Sequence, residues 1–237
     1  MHLTDGVYGL QLKYTGLSNA NGWFWVLLGN DDLKGLEFLK TDSSTPETGG
    51  RIQYPVPYGE VAATFHNRKI DLSEFGLSDA WETRFALDGR WDRIIGFWFE
   101  AVCQKQSTDF LPFEWSKFAT LGMDYTFGIG NGLHVLGEHL VTVMSRFLPE
   151  WPNTLNVSAC VIRYPSGIFD SLSIIGYYHW DEKAFAPHLS WTRTLDDLDV
   201  TLSLFDYPKT SDEGAFTLRS EAAMPGSGIQ LILVYHH

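Results

Sequence analysis

The feature that most constrains the fold of this chain is a two-residue alternation of side-chain character. It is clearest in RFALDGRWDRIIGFWFEAVC, residues 84–103, where even positions carry most of the charges and odd positions most of the large apolar side chains. Successive side chains of an extended strand point to opposite sides, so this period predicts strands with two chemically different faces. The apolar face must then meet either a protein core or lipid.

The same alternation recurs along almost the whole chain and predicts about twelve strands and no helix. The predicted strands are 7–15, 22–29, 51–66, 81–103, 117–130, 133–146, 154–164, 170–182, 187–195, 198–207, 215–223 and 228–236. From residue 117 onward, short turn signals alternate with longer connections, as in an antiparallel up-and-down β-barrel. No linker divides the sequence, which predicts one barrel domain over residues 1–237.

The clearest predicted hairpin is LSWTRTLDDLDVTLSL, with Asp196 and Asp197 as a two-residue turn. This turn pairs Leu195 with Leu198, Arg193 with Val200, Trp191 with Leu202 and Leu189 with Leu204. The opposite face then carries small polar side chains only. Further turns are predicted at GNG (130–132), YPSG (164–167) and PGSG (225–228). A short turn at PGSG places the C-terminal end of the last strand at the edge of the long connections.

The amino-acid composition limits the kinds of partner that we expect for this chain. Aromatic residues make up 15% of the chain and charged residues 19%, which leaves few charges to cover an exterior that faces water. The net charge of −12 argues against a nucleic-acid partner, which would need a basic surface. Strand phase places Cys103 and Cys160 on different kinds of face, so no disulfide is expected. The first residues lack the features of a signal peptide, and no apolar run is long enough for a transmembrane helix.

Two observations favour a membrane barrel over a soluble sandwich. The alternation persists for about 20 residues through 84–103, longer than strands of soluble proteins. Aromatic residues also lie near predicted strand ends, where an interfacial girdle is expected. The girdle candidates are Trp81, Trp91, Trp115, Tyr164, Trp180, Tyr207 and Tyr235.

Three segments carry a family resemblance: GGRIQYPVPYGEVAATFHNR, RFALDGRWDRIIGFWFEAV and LGMDYTFGIGNGLHVLGEHL. They resemble strands of porin-like outer-membrane β-barrel proteins of Gram-negative bacteria, over roughly residues 50–237. The resemblance implies a membrane location, small solutes as cargo and often a homo-oligomer. Such proteins are typically longer, so the chain is either a barrel of about twelve strands or the later part of a longer one.

Charged residues on predicted inward positions are the candidates for solute selectivity, because charges around a lumen filter solutes by sign and size. They are Arg84, Asp88, Arg90, Asp92, Glu100, Asp124, Arg219 and Glu221. Their carboxylates lack an accompanying nucleophile motif, so no catalytic residue, cofactor or metal is predicted.

Two local patterns have alternative interpretations. The glycines of GIGNG at 128–132 are better explained by a hairpin turn than by a phosphate-binding loop, because a strand pattern follows them. The type of this turn decides which histidine faces inward. A tight turn places His139 beside Asp124, whereas a bulged turn directs His134, Glu138 and Arg146 inward, and the bulged turn keeps Glu138 out of lipid.

The sequence therefore predicts a porin-like outer-membrane channel, or a structural barrel, that allows passive diffusion of small solutes through a charge-lined lumen. Membrane lipid and small solutes are the expected partners. One alternative is a soluble β-barrel or sandwich that binds an apolar or carbohydrate ligand on its aromatic residues. A second is a membrane-embedded enzyme acting on lipid, for which Ser190 and His188 near Trp191 are the candidates.

Overall fold

A computed structural model gives the fold of the chain. It describes residues 7–16, 18–30, 33, 37, 39–108, 110–152, 154–208 and 226–236. The predicted strand 215–223, together with Arg219 and Glu221, lies outside the described residues.

Thirteen strands form one antiparallel sheet whose spatial order is the sequence order. They are β1 (Tyr8–Thr15), β2 (Asn21–Leu28), β3 (Glu47–Val56), β4 (Gly59–Ile70), β5 (Ala80–Asp92), β6 (Gly96–Gln106), β7 (Trp115–Phe127), β8 (Leu133–Ser145), β9 (Thr154–Pro165), β10 (Asp170–His179), β11 (Ala184–Thr194), β12 (Leu198–Tyr207) and β13 (Gly226–Tyr235). The prediction of an all-β, up-and-down antiparallel architecture is confirmed. Within the described residues the sheet is not closed, and β1 and β13 are its edges.

Contacts within the sheet group the chain into two compact units. Unit 1 comprises residues 1–93, 98–120 and 142–154, and unit 2 comprises residues 94–97, 121–141 and 155–237. Unit 1 therefore contains β1 to β5 with parts of β6 to β8, and unit 2 contains the rest of these three strands with β9 to β13. The prediction of a single barrel domain over the whole chain stays a prediction.

The β11–β12 hairpin has the predicted register. Leu189 pairs with Leu204, Trp191 with Leu202 and Arg193 with Val200, and the Leu195 N–H donates to the Leu198 carbonyl at 2.8 Å. The opposite face pairs Ser190 with Ser203, Thr192 with Thr201 and Thr194 with Asp199. The two-residue turn at 196–197 therefore produces one apolar and one small polar face, as the alternation required.

Two predicted strands are wrong, because each is a hairpin. The segment 51–66 divides into β3 and β4 at the turn Pro57–Tyr58, where Tyr58 has a positive φ of 65°. The segment 81–103 divides into β5 and β6 at residues 93–95. A three-residue connection keeps odd and even positions on the same faces of both strands, so the alternation continued across the turn without a break. The apparent strand length of about 20 residues was therefore no evidence for a membrane-spanning strand.

The short turn predicted at PGSG is also wrong. Strand β13 begins at Gly226, and residues 226–228 pair with residues 205–207 of β12 instead of forming a turn. Because Tyr235 pairs with Leu198, the chain leaves β13 at the edge of the short connections. This edge carries the connections 16–20, 57–58, 93–95, 128–132, 166–169 and 195–197. The opposite edge carries the long connections, including residues 29–46 and 71–79.

The distribution of burial is inverted relative to a soluble protein. Large apolar side chains on one face are exposed, with Leu87 at 58% and Leu231 at 61%, whereas Arg68 and Glu82 are fully buried at 0%. The one buried apolar cluster in the described residues is small and joins Leu39 to Ile70, Leu72 and Ala80. The sheet thus has an exposed apolar face and a polar face that holds the buried charges.

The division at 93–95 can be tested by insertion. A three-residue Gly-Ser-Gly insert between Arg93 and Ile94 lengthens a connection and is expected to leave the folded yield unchanged. The same insert between Phe85 and Ala86 lies inside β5 and is expected to abolish folding, because it shifts every later side chain of the strand to the wrong face. Resistance of the folded form to denaturation on an unboiled gel measures the outcome. Loss of folding with both inserts would indicate one continuous strand.

Candidate functional site

The polar face of unit 1 gathers the side chains that could act on a solute. Cross-strand pairing places His66 opposite Arg84, Thr64 opposite Ala86 and Ala62 opposite Asp88. The same rows continue onto β3, where Gly49 pairs with His66 and Arg51 with Thr64. The predicted inward residues Arg84, Asp88, Arg90 and Asp92 therefore share this face of β5, and Glu100 has the matching phase on β6.

A charged cluster lies on this face at the edge of the long connections. Its charged members are Glu37, Arg68, Glu82 and Arg84. Arg68 donates from Nε and Nη2 to the two carboxylate oxygens of Glu82 at 2.7 and 3.0 Å. Arg84 donates from Nε to Glu82 at 2.6 Å and from Nη2 to Glu37 at 2.7 Å. Two carboxylates thus neutralise two guanidinium groups, of which Arg68 is buried and Arg84 is partly exposed.

Neutral side chains complete the hydrogen bonding of the charged cluster. The amides of Gln104 and Gln106 each donate to Glu82 at 2.7 Å. Arg68 Nη1 donates to the Thr41 hydroxyl at 2.9 Å and lies 2.9 Å from Glu37. The buried carboxylate of Glu82 therefore receives donors from three strands, which is the arrangement that makes a buried charge tolerable.

The connection between β2 and β3 supplies part of this cover. Glu37 and Thr41 reach the arginines, and Leu39 packs against Ile70 and Leu72. Asp42 anchors the connection farther along: it accepts from the Ser44 hydroxyl at 2.6 Å, the Thr45 hydroxyl at 2.6 Å and Lys69 at 3.1 Å. These bonds, the one from Ser44 foremost, hold the pKa of Asp42 well below its ordinary value of 3.8.

A second ion pair lies nearer the middle of the polar face. Arg51 donates from Nη1 and Nη2 to the two carboxylate oxygens of Asp88 at 2.6 and 2.7 Å, and Nη1 also donates to the Thr64 hydroxyl at 3.0 Å. The side chains of Arg51 and Asp88 are each about 30% exposed. Unlike the charged cluster, this bidentate pair can therefore be reached from water.

In unit 2, the connection 128–132 sets which histidine of β8 lies on the same face as Asp124. His134 Nε2 lies 3.1 Å from the Asp124 carboxylate, whereas His139 Nδ1 lies 2.9 Å from the Ser158 hydroxyl on the other face. Gly130 and Gly132 have positive φ values of 56° and 103° in this connection. His134 therefore lies on the face of Asp124, as expected for the bulged turn and not for the tight turn, and GIGNG is a strand connection.

Aromatic side chains are placed near both edges of the apolar face. Trp81 and Trp115 begin their strands and Trp180 follows β10, all at the edge of the long connections, while Trp91, Tyr164 and Tyr235 lie at the opposite edge. Tyr207 differs from the expectation. Its hydroxyl lies 3.2 Å from His188 Nδ1 on the polar face, because the odd positions of β12 pair with polar-face residues of β11.

The candidates for a lipid-directed enzyme also lie on the polar face. Ser190 pairs with Ser203, and the His188 ring contacts Phe205 and the Tyr207 hydroxyl. Trp191, by contrast, is on the apolar face and donates its ring N–H to Asp170 at 3.1 Å. Among the described residues no three His, Cys, Asp or Glu side chains are grouped as metal ligands. No helix in that part of the chain has the length and hydropathy to cross a membrane.

The sequence patterns missed the charged cluster. Arg68 lies outside the predicted strand 51–66. Glu82 lies at the start of the predicted strand 81–103 and was not named as a candidate. Glu37 comes from a connection, so nothing local to its sequence indicates that it meets Arg68 and Arg84. The two-residue phase that links Glu82 to Arg84 was the available signal for one of the contacts.

Comparison of the chain with protein-family models, with curated proteins and with solved structures found no match.

The charged cluster makes a prediction for stability. Arg68→Met leaves the Glu82 carboxylate buried with fewer donors and is expected to lower the free energy of unfolding by about 3–5 kcal/mol. Arg68→Met combined with Glu82→Met removes both charges and leaves Glu37 paired with Arg84, so most of the loss is recovered. Urea unfolding of the folded protein in detergent measures the effect. Arg90→Gln, at an exposed position of β5, is the matched control and should change stability by less than about 0.5 kcal/mol.

Asp42 makes a prediction for pH dependence. A carboxylate whose pKa is lowered on folding stabilises the fold above its ordinary pKa of 3.8, and the stabilisation is lost as the pH falls toward the lowered value. Asp42→Asn is therefore expected to lower the unfolding temperature at pH 7, and its difference from the wild type should shrink below about pH 3.8. Asp196→Asn, in the exposed turn, is the control. A difference that stays constant from pH 7 to pH 3 would contradict this role.

Proposed function

We propose that the chain forms a porin-like β-barrel of a Gram-negative outer membrane, through which small solutes diffuse along the charged polar face. The observation that carries the proposal is the chemistry of the apolar face. In β3 to β5, every residue of that face from the row of Thr48, Asn67 and Thr83 to the row of Val56, Gly59 and Trp91 is uncharged. Lys69, paired with Trp81, lies just outside this range.

The spacing of Trp81 and Trp91, at the two ends of this uncharged zone, fits a bilayer. Trp81 and Trp91 lie on one strand, ten positions apart. At about 3.3 Å per residue they are about 33 Å apart along the strand, and a tilt of about 40° projects this to about 25 Å. That is the height of the apolar band of outer-membrane barrels, with an aromatic residue at each interface.

Exposing this apolar face to water would make the folded state less stable. Each exposed Leu, Ile or Phe forgoes about 1.5–3 kcal/mol of burial free energy, and the apolar face continues through unit 2 at Ile174, Leu189 and Leu204. Contact with lipid removes this cost without a second packed layer. The soluble-sandwich alternative needs such a layer, and the described residues contain only a small buried apolar cluster.

The polar face supports diffusion of small polar solutes. Its charges are of mixed sign, and those in the middle are half-exposed, so a solute crossing the face meets both donors and acceptors. The charged cluster at the edge of the long connections is electroneutral and covered, which reduces the open width at that edge. Membrane lipid and small solutes are therefore the proposed partners, with no catalytic step.

The first test is folding into a membrane. The chain is refolded in detergent and in lipid vesicles, then run unboiled and boiled on a denaturing gel, with a detergent-free sample tested for solubility. A mobility shift on boiling, aggregation without detergent and single-channel conductance in a planar bilayer are expected. A soluble monomer in plain buffer that shows no shift would overturn the proposal.

The environment of each face of the sheet can be tested with single cysteines at two adjacent positions, in a chain whose Cys103 and Cys160 are replaced by Ser. Ala86→Cys lies on the polar face and Leu87→Cys on the apolar face. In vesicles a water-soluble maleimide is expected to modify the first variant and not the second, and urea should make both reactive. The soluble alternative gives the reverse order, because Leu87 is then exposed to water and Ala86 is partly buried.

A further inference from the structure

Trp25 lies flat across the neighbouring strand on the polar face of unit 1. It pairs with Gly49 of β3, which pairs in turn with His66 of β4, so the three residues form one row. A Cβ atom at Gly49 would be closer to three atoms of the indole ring than van der Waals contact allows. The ring therefore covers the glycine backbone. One π-face rests on the sheet, and the other is directed away from it.

Hydrogen bonds fix the ring in this position. The indole N–H donates to His66 Nδ1 at 3.2 Å, which leaves His66 Nε2 to donate to Glu47 at 2.9 Å, and Glu47 also accepts from the Asn30 amide at 2.6 Å. The Trp25 and His66 rings are tilted by only 23°, with centroids 6.2 Å apart. The two rings form a nearly continuous flat surface across three strands, the aromatic platform.

Planar polar groups border the platform on the side away from the charged cluster. The next row of the face contains Trp23, Arg51 and Thr64, and Arg51 holds the half-exposed carboxylate of Asp88. Positions two residues apart on a strand are about 7 Å apart, which is close to the width of one pyranose ring. A ligand lying on Trp25 can therefore reach the Arg51–Asp88 pair with its edge.

We infer that the aromatic platform and the Arg51–Asp88 pair bind carbohydrate, with the C–H face of a sugar ring on Trp25 and neighbouring hydroxyls on the paired charges. A sugar has one apolar face and a rim of groups that both donate and accept, which matches a flat aromatic surface beside a guanidinium and a carboxylate. A flat aromatic ligand would use the platform but would make no hydrogen bonds with the Arg51–Asp88 pair. This inference rests on the proposed function, since it names the class of solute that the polar face favours.

The test measures sugar binding separately from conduction. Refolded protein in detergent is titrated with linear oligosaccharides of glucose, galactose and mannose, and binding is followed by calorimetry and tryptophan fluorescence. Saturable binding of at least one series is expected. Trp25→Ala should weaken it about tenfold or more. Gly49→Ala retains the indole but displaces it, and should give a similar loss. Trp81→Ala, on the apolar face, is the matched control and should leave the affinity unchanged.

Conductance distinguishes failure of the inference from failure of the proposed function. Block of single-channel current by the bound oligosaccharide, relieved in Trp25→Ala, supports both. Sugar binding without conductance supports the inference and contradicts the channel. Conductance with no binding of any oligosaccharide overturns the inference, as does binding that survives both Trp25→Ala and Gly49→Ala. The gel shift on boiling shows whether each variant folds. Trp25→Phe retains an aromatic ring but loses the N–H bond to His66, and we expect it to cause an intermediate loss of sugar affinity.

Discussion

Register in the antiparallel ladder is the constraint on which the rest of this structure depends. Each backbone pair decides which side of the sheet two residues face, and a shift by one position would exchange the two faces of a strand. In β3 to β5 this would move Phe65, Phe85 and Leu87 to the side of the charges. The faces differ so strongly in chemistry that one register is favoured far above its neighbours. The two-residue turn at 57–58 and the three-residue connection at 93–95 then maintain that register from β3 to β6.

Burial of charge follows from this arrangement. Because the apolar side chains occupy one face of the ladder, the buried side chains of the opposite face include Arg68, Glu82 and Gln106. A single buried charge there would be prohibitive, so the charges occur as a neutral set with a donor for each carboxylate oxygen. The set also joins Glu37, which lies between β2 and β3 in the sequence, to the sheet.

The alternation of side chains predicts much of this fold but little of the charged cluster. Facing is a local property, so the β11–β12 pairs and the polar side of Arg84 and Asp88 were accessible from the sequence. Strand number was harder, because the odd-length connection at 93–95 preserves the phase that a turn with two residues would reverse. Contacts such as Glu37 with Arg84 join a connection to a strand 47 positions away, and no periodicity encodes them. The role of Gly49 is equally hidden, since it appears only when Trp25 crosses above it.

The polar face therefore has two zones with different physical roles. Toward the long connections, charges are paired, covered and multiply hydrogen-bonded, so their contribution is to hold elements together. Toward the middle, Arg51 and Asp88 are paired but half-exposed, and Trp25 offers a ring face beside them. A charge that is already neutralised exerts little long-range field, yet its lone pairs and N–H groups remain available at contact distance. Recognition at such a face would depend on shape and hydrogen bonding at close range more than on net charge, which is what the proposed carbohydrate site requires.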